Sequence, residues 1–318
     1  MIKKKINVVF QGGGVKGSAY PGALQVIEDE NYTVESAGGV SAGAIVAALV
    51  AAGYSASEIR DIMDDTDYNK FCDKWATGYV PFFGKALSVL CHDGFYKGDY
   101  FENWIASLLK AKGVEKYGDL KIKGDYKLKV VTSDLSFSRG VLIPDHLEKL
   151  YGVDPDNFSV ARSIRMSMSI PFFFKQTHII DQFGKKVFFV DGGMTSNMPL
   201  FIFKNSKIPT IGIFLRDKTF KFDDEKEYRD VSGCYDNIKA LIDIVSGGMD
   251  YLHIDEEDWN NRIILIDTLG ISTTDFDISS MHKDMLYFSG YNSAVDFFHL
   301  VKQRKKTIKA KRKRKYIL

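Results

Sequence analysis

"GGVSAGAIVAALVAAG", residues 38–53, sets one serine between glycines and follows it with small apolar residues that carry no charge. Ser41 reads either as a nucleophile on a sharp strand-to-helix turn or as the first residue of a buried or membrane-crossing helix. The uncharged window from Ser36 to Ser57 is 22 residues, long enough by count to cross a bilayer. Its residues are mostly Ala, Gly and Ser, and Gly53 closes it where a helix C-cap would fall. A helix packed tightly inside a soluble core is therefore expected.

The flanking segments supply the context for the turn. "KINVVF" (5–10) reads as a strand, "QGGGVKG" as a loop, "SAYPGALQVIEDE" as a helix to about Glu30, and "TVESAGG" as a strand leading into the turn at Ser41. Strand, glycine loop, helix, strand, tight turn, helix is the order of a parallel sheet. In a G-x-S-x-G turn, side chains two before and two after the serine would collide with neighbouring backbone, so Gly39 and Gly43 clear the space and leave the serine oxygen exposed. Ala42, Ala44, Ala47 and Ala48 then let the helix lie close to the sheet.

Further along, "SASEIRDIMDD" (55–65) is a helix with Ser55 or Ser57 as its cap, Glu58 falling three residues after Ser55 as in a capping box. Residues 68–98 are aromatic-rich and punctuated by glycine, and read as an inserted or covering segment. "GDYFENWIASLLKAKG" is an amphipathic helix, and "YKLKVVTSDL" and "RGVLIP" are strands paired through the turn at Ser136–Arg139. "SVARSIRMSMS" is a helix stopped by Pro171, and "HIIDQFGKKVFFVDGG" is a hairpin whose second strand ends at Asp191. "PTIGIFL" and "NRIILIDT" are core strands, separated by a charged loop and a helical stretch from about Tyr235 to Asp258. A last helix runs from near Met281 into the C-terminal tail, and no internal repeat is present.

Composition limits the function classes. The chain has 318 residues, 45% hydrophobic and 26% charged, as in an ordinary globular protein. Cys72, Cys91 and Cys234 form an odd set without CxxC spacing, which argues against a disulfide framework or a zinc site and fits a reducing, cytoplasmic compartment. "MIKKKINVVFQGGG" has too short an apolar stretch after its lysines for a signal peptide. The net charge of +2 conceals an asymmetry: residues 302–318 hold ten Lys or Arg and no acid, which leaves 33 basic against 41 acidic side chains in residues 1–301. The tail reads either as a solvated run or as a contact for anionic phosphates, of lipid headgroups or of nucleic acid.

Two glycine motifs compete for the chemistry. Gly12-x-Gly14-x-x-Gly17 fits the dinucleotide-binding fingerprint, with Glu35 about where that fold places its ribose-binding acid. That reading gives no reason for the Gly39-Val40-Ser41-Ala42-Gly43 turn, whereas a serine nucleophile uses both. The backbone N–H groups of Gly12, Gly13 and Gly14 end the first strand and are free to point into the cleft that Ser41 enters, as an oxyanion hole requires. Lys16 either adds positive charge there or simply begins a helix. None of the six histidines stands in a distinctive turn, and Asp191, in "KVFFVDGGMTSNMP", is the stronger candidate for the base, although Asp-Gly-Gly also reads as an ordinary turn.

"GGGVKG" (12–17), "GVSAG" (39–43), "SMSIPFFF" (167–174) and "DGG" followed by Asn197 and Pro199 resemble, in order and spacing, the patatin-like phospholipase family. The resemblance covers about residues 5–215. It implies a three-layer α/β/α fold around a central, mostly parallel sheet, related to cytosolic phospholipase A2, with a histidine-free Ser-Asp dyad. Ser41 would be the nucleophile, Asp191 the base, Gly12 to Gly14 the oxyanion hole, and Lys16 would stand where the family has Arg or Lys. No metal or cofactor is implied. The expected protein is a catalytic domain over 1–301 with a basic tail over 302–318. Its expected activity is that of a phospholipase A associated peripherally with membranes, or else of a neutral-lipid or small-ester hydrolase on the same dyad. Outside the hydrolases, a dinucleotide-binding oxidoreductase and a non-catalytic phosphate-binding module remain open. Residues 68–98 and those after about 216 depart from the family pattern.

Overall fold

A computed structural model describes residues 3–75, 94–216, 240, 244 and 261–315, with side chains of the last helix described to 304 and at 306. In chain order the elements that build the site are β1 (Lys4–Phe10), a 3-10 turn (Gly14–Ala19), α1 (Tyr20–Asp29), β2 (Tyr32–Val40), α2 (Ala42–Ala51) and α3 (Ala56–Asp65). The short β3 (Gly94–Tyr96), α4 (Asp99–Ala111) and a small hairpin of β4 (Lys121–Ile122) and β5 (Asp125–Tyr126) come next. They are followed by β6 (Leu128–Asp134), β7 (Arg139–Ile143), α5 (Leu147–Tyr151), α6 (Val160–Ser167), β8 (Phe172–Phe174), β9 (Thr177–Ile180) and β10 (Lys186–Asp191). The chain closes with β11 (Thr210–Arg216), β12 (Ile263–Asp267) and α7 (Ser280–Lys315).

The result is a mixed eight-stranded sheet flanked by helices, paired in the order β12-β11-β1-β2-β6-β10-β9 with β7 also on β6. β12, β11, β1, β2 and β6 are mutually parallel, as the strand–helix alternation requires. Phe10 lies opposite Gly39, so the loops after β1 and β2 leave the sheet side by side.

β6 carries three partners, and its register positions the site. Its first half pairs with β2, Val131 opposite Val40, and its last three residues pair with β10, Thr132 opposite Asp191. β7 pairs with β6 over Val130–Asp134 and so fills the other side of the strand along both stretches. β2 and the antiparallel β10 therefore share one side of β6 and meet there end to end. The carboxyl ends of the two strands face each other across a single peptide step.

α2 has no polar face: Ala42 to Leu49 are all buried, which is why its sequence looks like a membrane segment while its ten residues serve as a core helix. The 22-residue uncharged window is divided between the end of β2, the turn, α2 and the start of α3. No described helix is long and apolar enough to cross a membrane. The Ser55–Glu58 capping box forms as the spacing requires.

The main core runs through Ile6, Val8 and Phe10 of β1, α1, α2 and the last helix, while Val9, Phe214 and Ile263 pack on the other side of the sheet against Met198, Leu200 and Phe203. α7 lies on α1 at a close crossing, where a Cβ on Gly22 would strike the Tyr287 carbonyl and one on Gly290 the Ala19 carbonyl. The helix continues without a break across residues 301 and 302, and Lys302 and Arg304 still touch the body through Glu30 and Asn261. Most of the aromatic segment 68–98, the charged loop expected after β11, and all but residues 240 and 244 of the helical stretch expected before β12 fall outside the described residues.

Candidate active site

Ser41 occupies the turn between β2 and α2 with φ 54, a conformation that non-glycine residues adopt at a cost and that recurs at functional sites. The flanking glycines are required by contact. A Cβ on Gly39 would come within 2.5 Å of the Gly43 carbonyl group, and one on Gly43 would strike the carbonyls of Phe10, which ends β1, and of Gln11 just after it. The turn is thus pressed against both itself and the neighbouring strand.

Ser41 Oγ donates to Asp191 Oδ2 at 2.7 Å. Gly193 N–H holds the other carboxylate oxygen at 2.8 Å, and Asp191 N–H donates to the Ser169 carbonyl at 2.9 Å. Burial pushes the Asp191 carboxyl up to about 6, against the lowering effect of the hydrogen bonds from Ser41 and Gly193. Ser41 itself is 6% exposed, so the expectation of an exposed oxygen is corrected. The glycine loop lies against its Cβ, the Met168 thioether sits 3.4 Å from its Oγ, and Asp191 closes a third side.

Asp191 ends β10, as the hairpin pattern predicts, and β10 runs antiparallel to β6. Asp191 reaches Ser41 from the opposite direction, through the end-to-end meeting of β2 and β10. None of the described histidines bonds to either residue. His146 accepts from Leu142 N–H, His178 packs on Phe188, His282 lies against Ser279 and His299 against Gln303. His92 and His253 fall outside the described residues.

The three glycines after β1 are not equivalent. Gly12 N–H donates to the Asn197 carbonyl at 3.1 Å, and Asn197 Nδ2 donates back to the Gly12 carbonyl at 3.4 Å. Val15 N–H is taken by Thr273 C=O. Among the described residues, the amides of Gly13 and Gly14 are left without a hydrogen-bond partner, in the loop whose Gly12 lies against the buried Ser41. Gly14 has φ 55 and is overlaid by the Thr273 carbonyl, so glycine is required there. Lys16 passes over the loop, its Cε 3.8 Å from where a Gly13 Cβ would sit.

The rival reading of this loop loses its acidic partner. Glu35 lies in the first half of β2 beside Ile6, far down the strand from the loop at Gly12, and its carboxylate is paired with Lys5 at 2.7 Å. It is not placed to reach a ribose bound at the glycine loop, and the dinucleotide site is set aside on that ground.

Several contacts at the site carry no isolated sequence signal. Ser167, Met168 and Ser169 touch Ser41 or Asp191, and Thr273 comes to the glycine loop from after β12. The first three fall in "SMSIPFFF" (167–174), one of the stretches that carry the family resemblance, but no role for them is readable from the sequence.

The chain is similar in sequence and fold to known proteins. The uncharacterized protein YqhO of Bacillus subtilis is 36% identical over 280 residues, which cover 87% of this chain and 92% of YqhO. Among solved structures, VipD of Legionella pneumophila superposes with a TM-score of 0.55 at 15% identity over 93% of this chain and 67% of VipD. ExoU in its complex with SpcU from Pseudomonas aeruginosa gives 0.51 at 17% identity over 93% of this chain, which spans about half of that longer one, 52%. At these identities the two structures establish a shared fold. The patatin-like phospholipase model matches residues 8–204, from β1 through the glycine loop, Ser41 and Asp191 to the segment after Asn197, and the chain therefore belongs to the patatin-like phospholipase family of lipid acyl hydrolases.

Proposed function

We propose that the protein is a phospholipase A working at a membrane surface, with Ser41 as nucleophile, Asp191 as general base and the Gly13 and Gly14 amides as the oxyanion hole. The observation that carries this reading is the 2.7 Å hydrogen bond from Ser41 Oγ to a carboxylate raised to about 6, with a neighbouring glycine loop in which two amides have no partner among the described residues. Asp191 accepts the Ser41 proton as Oγ attacks the ester carbonyl, and the glycine amides bind the oxygen that becomes negative. Collapse of the tetrahedral intermediate expels the lysolipid alkoxide, which takes the proton back from Asp191. Water then attacks the acyl-enzyme with Asp191 again accepting a proton, and the fatty acid leaves as Ser41 Oγ is reprotonated. A carboxyl near 6 is largely ionised at neutral pH yet more basic than an ordinary aspartate, which suits it to this exchange. Gly12 supports the loop through Asn197, and Lys16 lends positive charge to the loop's approach.

The membrane assignment is supported by two features. Leu135 and Phe137 on the β6–β7 turn, Ile180 at the end of β9 and Phe183 on the β9–β10 turn are exposed beyond the carboxyl end of β6, Phe183 to 76%. The basic end of α7 supplies cationic charge for anionic headgroups. The test is release of fatty acid from phosphatidylcholine vesicles containing phosphatidylserine, run beside a triglyceride emulsion and a soluble short-chain ester. Hydrolysis of vesicles that disappears in Ser41→Ala supports the reading. Labelling of Ser41 by a fluorophosphonate with turnover of the emulsion alone makes the protein a neutral-lipid hydrolase, and no labelling at all removes the nucleophile.

A further inference from the structure

The end of α6 reaches the site through the backbone of both functional residues. Ser41 N–H donates to Ser167 Oγ at 2.8 Å, and Ser167 Oγ donates its own hydrogen to the Val131 carbonyl at 2.6 Å. Two residues on, the Ser169 carbonyl holds Asp191 N–H. Ser167 is fully buried, and its hydroxyl has one hydrogen, which Val131 takes, so the oxygen lone pair is what it presents to Ser41. Val131 is the residue of β6 that faces Val40, and the next residue, Thr132, faces Asp191. The hydroxyl therefore ties the Ser41 peptide to the strand that aligns both partners.

The support is itself fixed. Arg165 Nη1 donates to Ser169 Oγ at 2.6 Å, and the rest of its buried guanidinium donates to the carbonyls of Lys97, Gly98 and Lys175. Ser41 at φ 54 needs such a restraint, because the turn is not a conformation its own backbone favours. No other described side chain bonds to its amide.

We propose that Ser167 is a positioning residue for the reaction: its hydroxyl holds the Ser41 peptide so that Oγ stays in line with Asp191 and facing the Gly13 and Gly14 amides. A corollary is that the Ser41 amide is committed to Ser167 and contributes nothing to the oxyanion hole. The inference rests on the reading of Ser41 as nucleophile.

Ser163 provides the control. It lies one turn earlier on α6, is equally buried, and bonds to Val160 C=O and Tyr117 Oη without touching the site. Ser167→Ala, Ser163→Ala and Ser41→Ala are compared by Tm, by the fraction of sites titrated with a fluorophosphonate, and by kcat and KM on a soluble short-chain ester. The expected result for Ser167→Ala is a kcat per titrated site lower by roughly 10- to 100-fold with KM within about threefold, as a small misplacement of the attacking atom produces. Ser163→Ala should lower Tm and leave kcat per site unchanged. Ser167→Cys, close in volume but a weak hydrogen-bonding group, should show a loss of the same kind if Ser167→Ala does not accumulate folded. Wild-type kcat in a folded Ser167 variant overturns the proposal, as does an equal loss in Ser163→Ala or a failure of both Ser167 variants to fold, either of which makes the role one of packing. Activity retained by Ser41→Ala removes the nucleophile reading and this proposal with it, a result distinct from all the others.

Discussion

The loop after β1 and the turn after β2 lie side by side on neighbouring parallel strands, are both built on glycine, and use it differently. At the β2 turn, Gly39 and Gly43 keep backbone off backbone, and the one amide at its apex, that of Ser41, is bonded to Ser167. At the β1 loop the outer amides are bonded, Gly12 to Asn197 and Val15 to Thr273, while the two between them have no described partner. One turn presents a side chain and ties down its peptide. The other presents peptides and carries no side chain. The lesson is that glycine count alone does not identify a phosphate or oxyanion site; which N–H groups remain unpaired does.

The largest effects should come from the groups that the turns present. Ser41→Ala and Asp191→Asn should each reduce kcat on a soluble ester by about 10⁴-fold or more with unchanged circular dichroism, since a nucleophile and its base act as a unit. Replacement of His146, His178, His282 or His299 should leave most activity. A histidine variant that loses on the order of a thousandfold while remaining folded would replace the pair by a triad.

Alanine placed in the two turns should then separate their roles. Gly13 has a negative φ of −175, and its Cβ would meet no backbone, only the ends of two side chains, Leu215 at 2.5 Å and Lys16 at 3.8 Å, so Gly13→Ala is the cleaner probe of the loop. Its kcat should fall by about 10²-fold with little change in Tm. Gly43→Ala collides with strand backbone and should lower stability by several kcal/mol, seen as a lost or shifted thermal transition. If Gly13→Ala is instead the variant that melts early at full activity, the division between the two turns is wrong.

The pH dependence follows from the buried carboxylate. With Asp191 required in its ionised form, kcat/KM on a soluble ester should rise through one ionisation near 6 and remain flat above neutrality. The same burial affects stability. Because the folded-state pKa lies above the unfolded value, the unfolded chain releases this proton first, and stability falls as pH rises from about 4 to 6. Asp191→Asn should therefore melt several degrees higher than wild type at pH 7.5, on the order of 3 kcal/mol for a shift of about two units, with the advantage gone below pH 4. An unchanged Tm at pH 7.5 would mean that the carboxylate is better solvated than its surroundings indicate.

The smallest effect belongs to the basic end of α7. Because Lys302 and Arg304 touch the body, the deletion that isolates the charge begins at 305. Loss of 305–318 should weaken binding to anionic vesicles at low salt, spare the soluble ester, and lose its effect as salt is raised. Equal vesicle binding by the two forms would leave the exposed turns at Phe137 and Phe183 as the membrane contact.

Much of the architecture was legible from local pattern. The strands at 5–10, 139–143 and 210–215, the capping box at Ser55, and the hairpin ending at Asp191 follow from apolar runs and turn residues acting over a few positions. The residues that line the site were also visible as residue types: a serine between glycines, a glycine run after a strand, and an aspartate at a strand end. Their roles as chemical groups follow from what each functional group is able to do.

The sequence by itself determined which groups are present and on which local turns they sit, because steric exclusion at Gly39, Gly43 and Gly14 and the periodicity of the strands act within short range. Tertiary structure alone decided how they meet. Asp191 lies opposite Ser41 because β10 runs antiparallel to β6 and ends where β2 ends, a register set by pairing between strands more than fifty residues apart. The raised pKa of Asp191, the burial of Ser41, the capture of its amide by Ser167 and of Val15 by Thr273 depend on desolvation and on contacts from distant segments. Such contacts leave no periodic trace in the chain, since a hydroxyl bonded to a carbonyl across the core is written no differently from one that faces water.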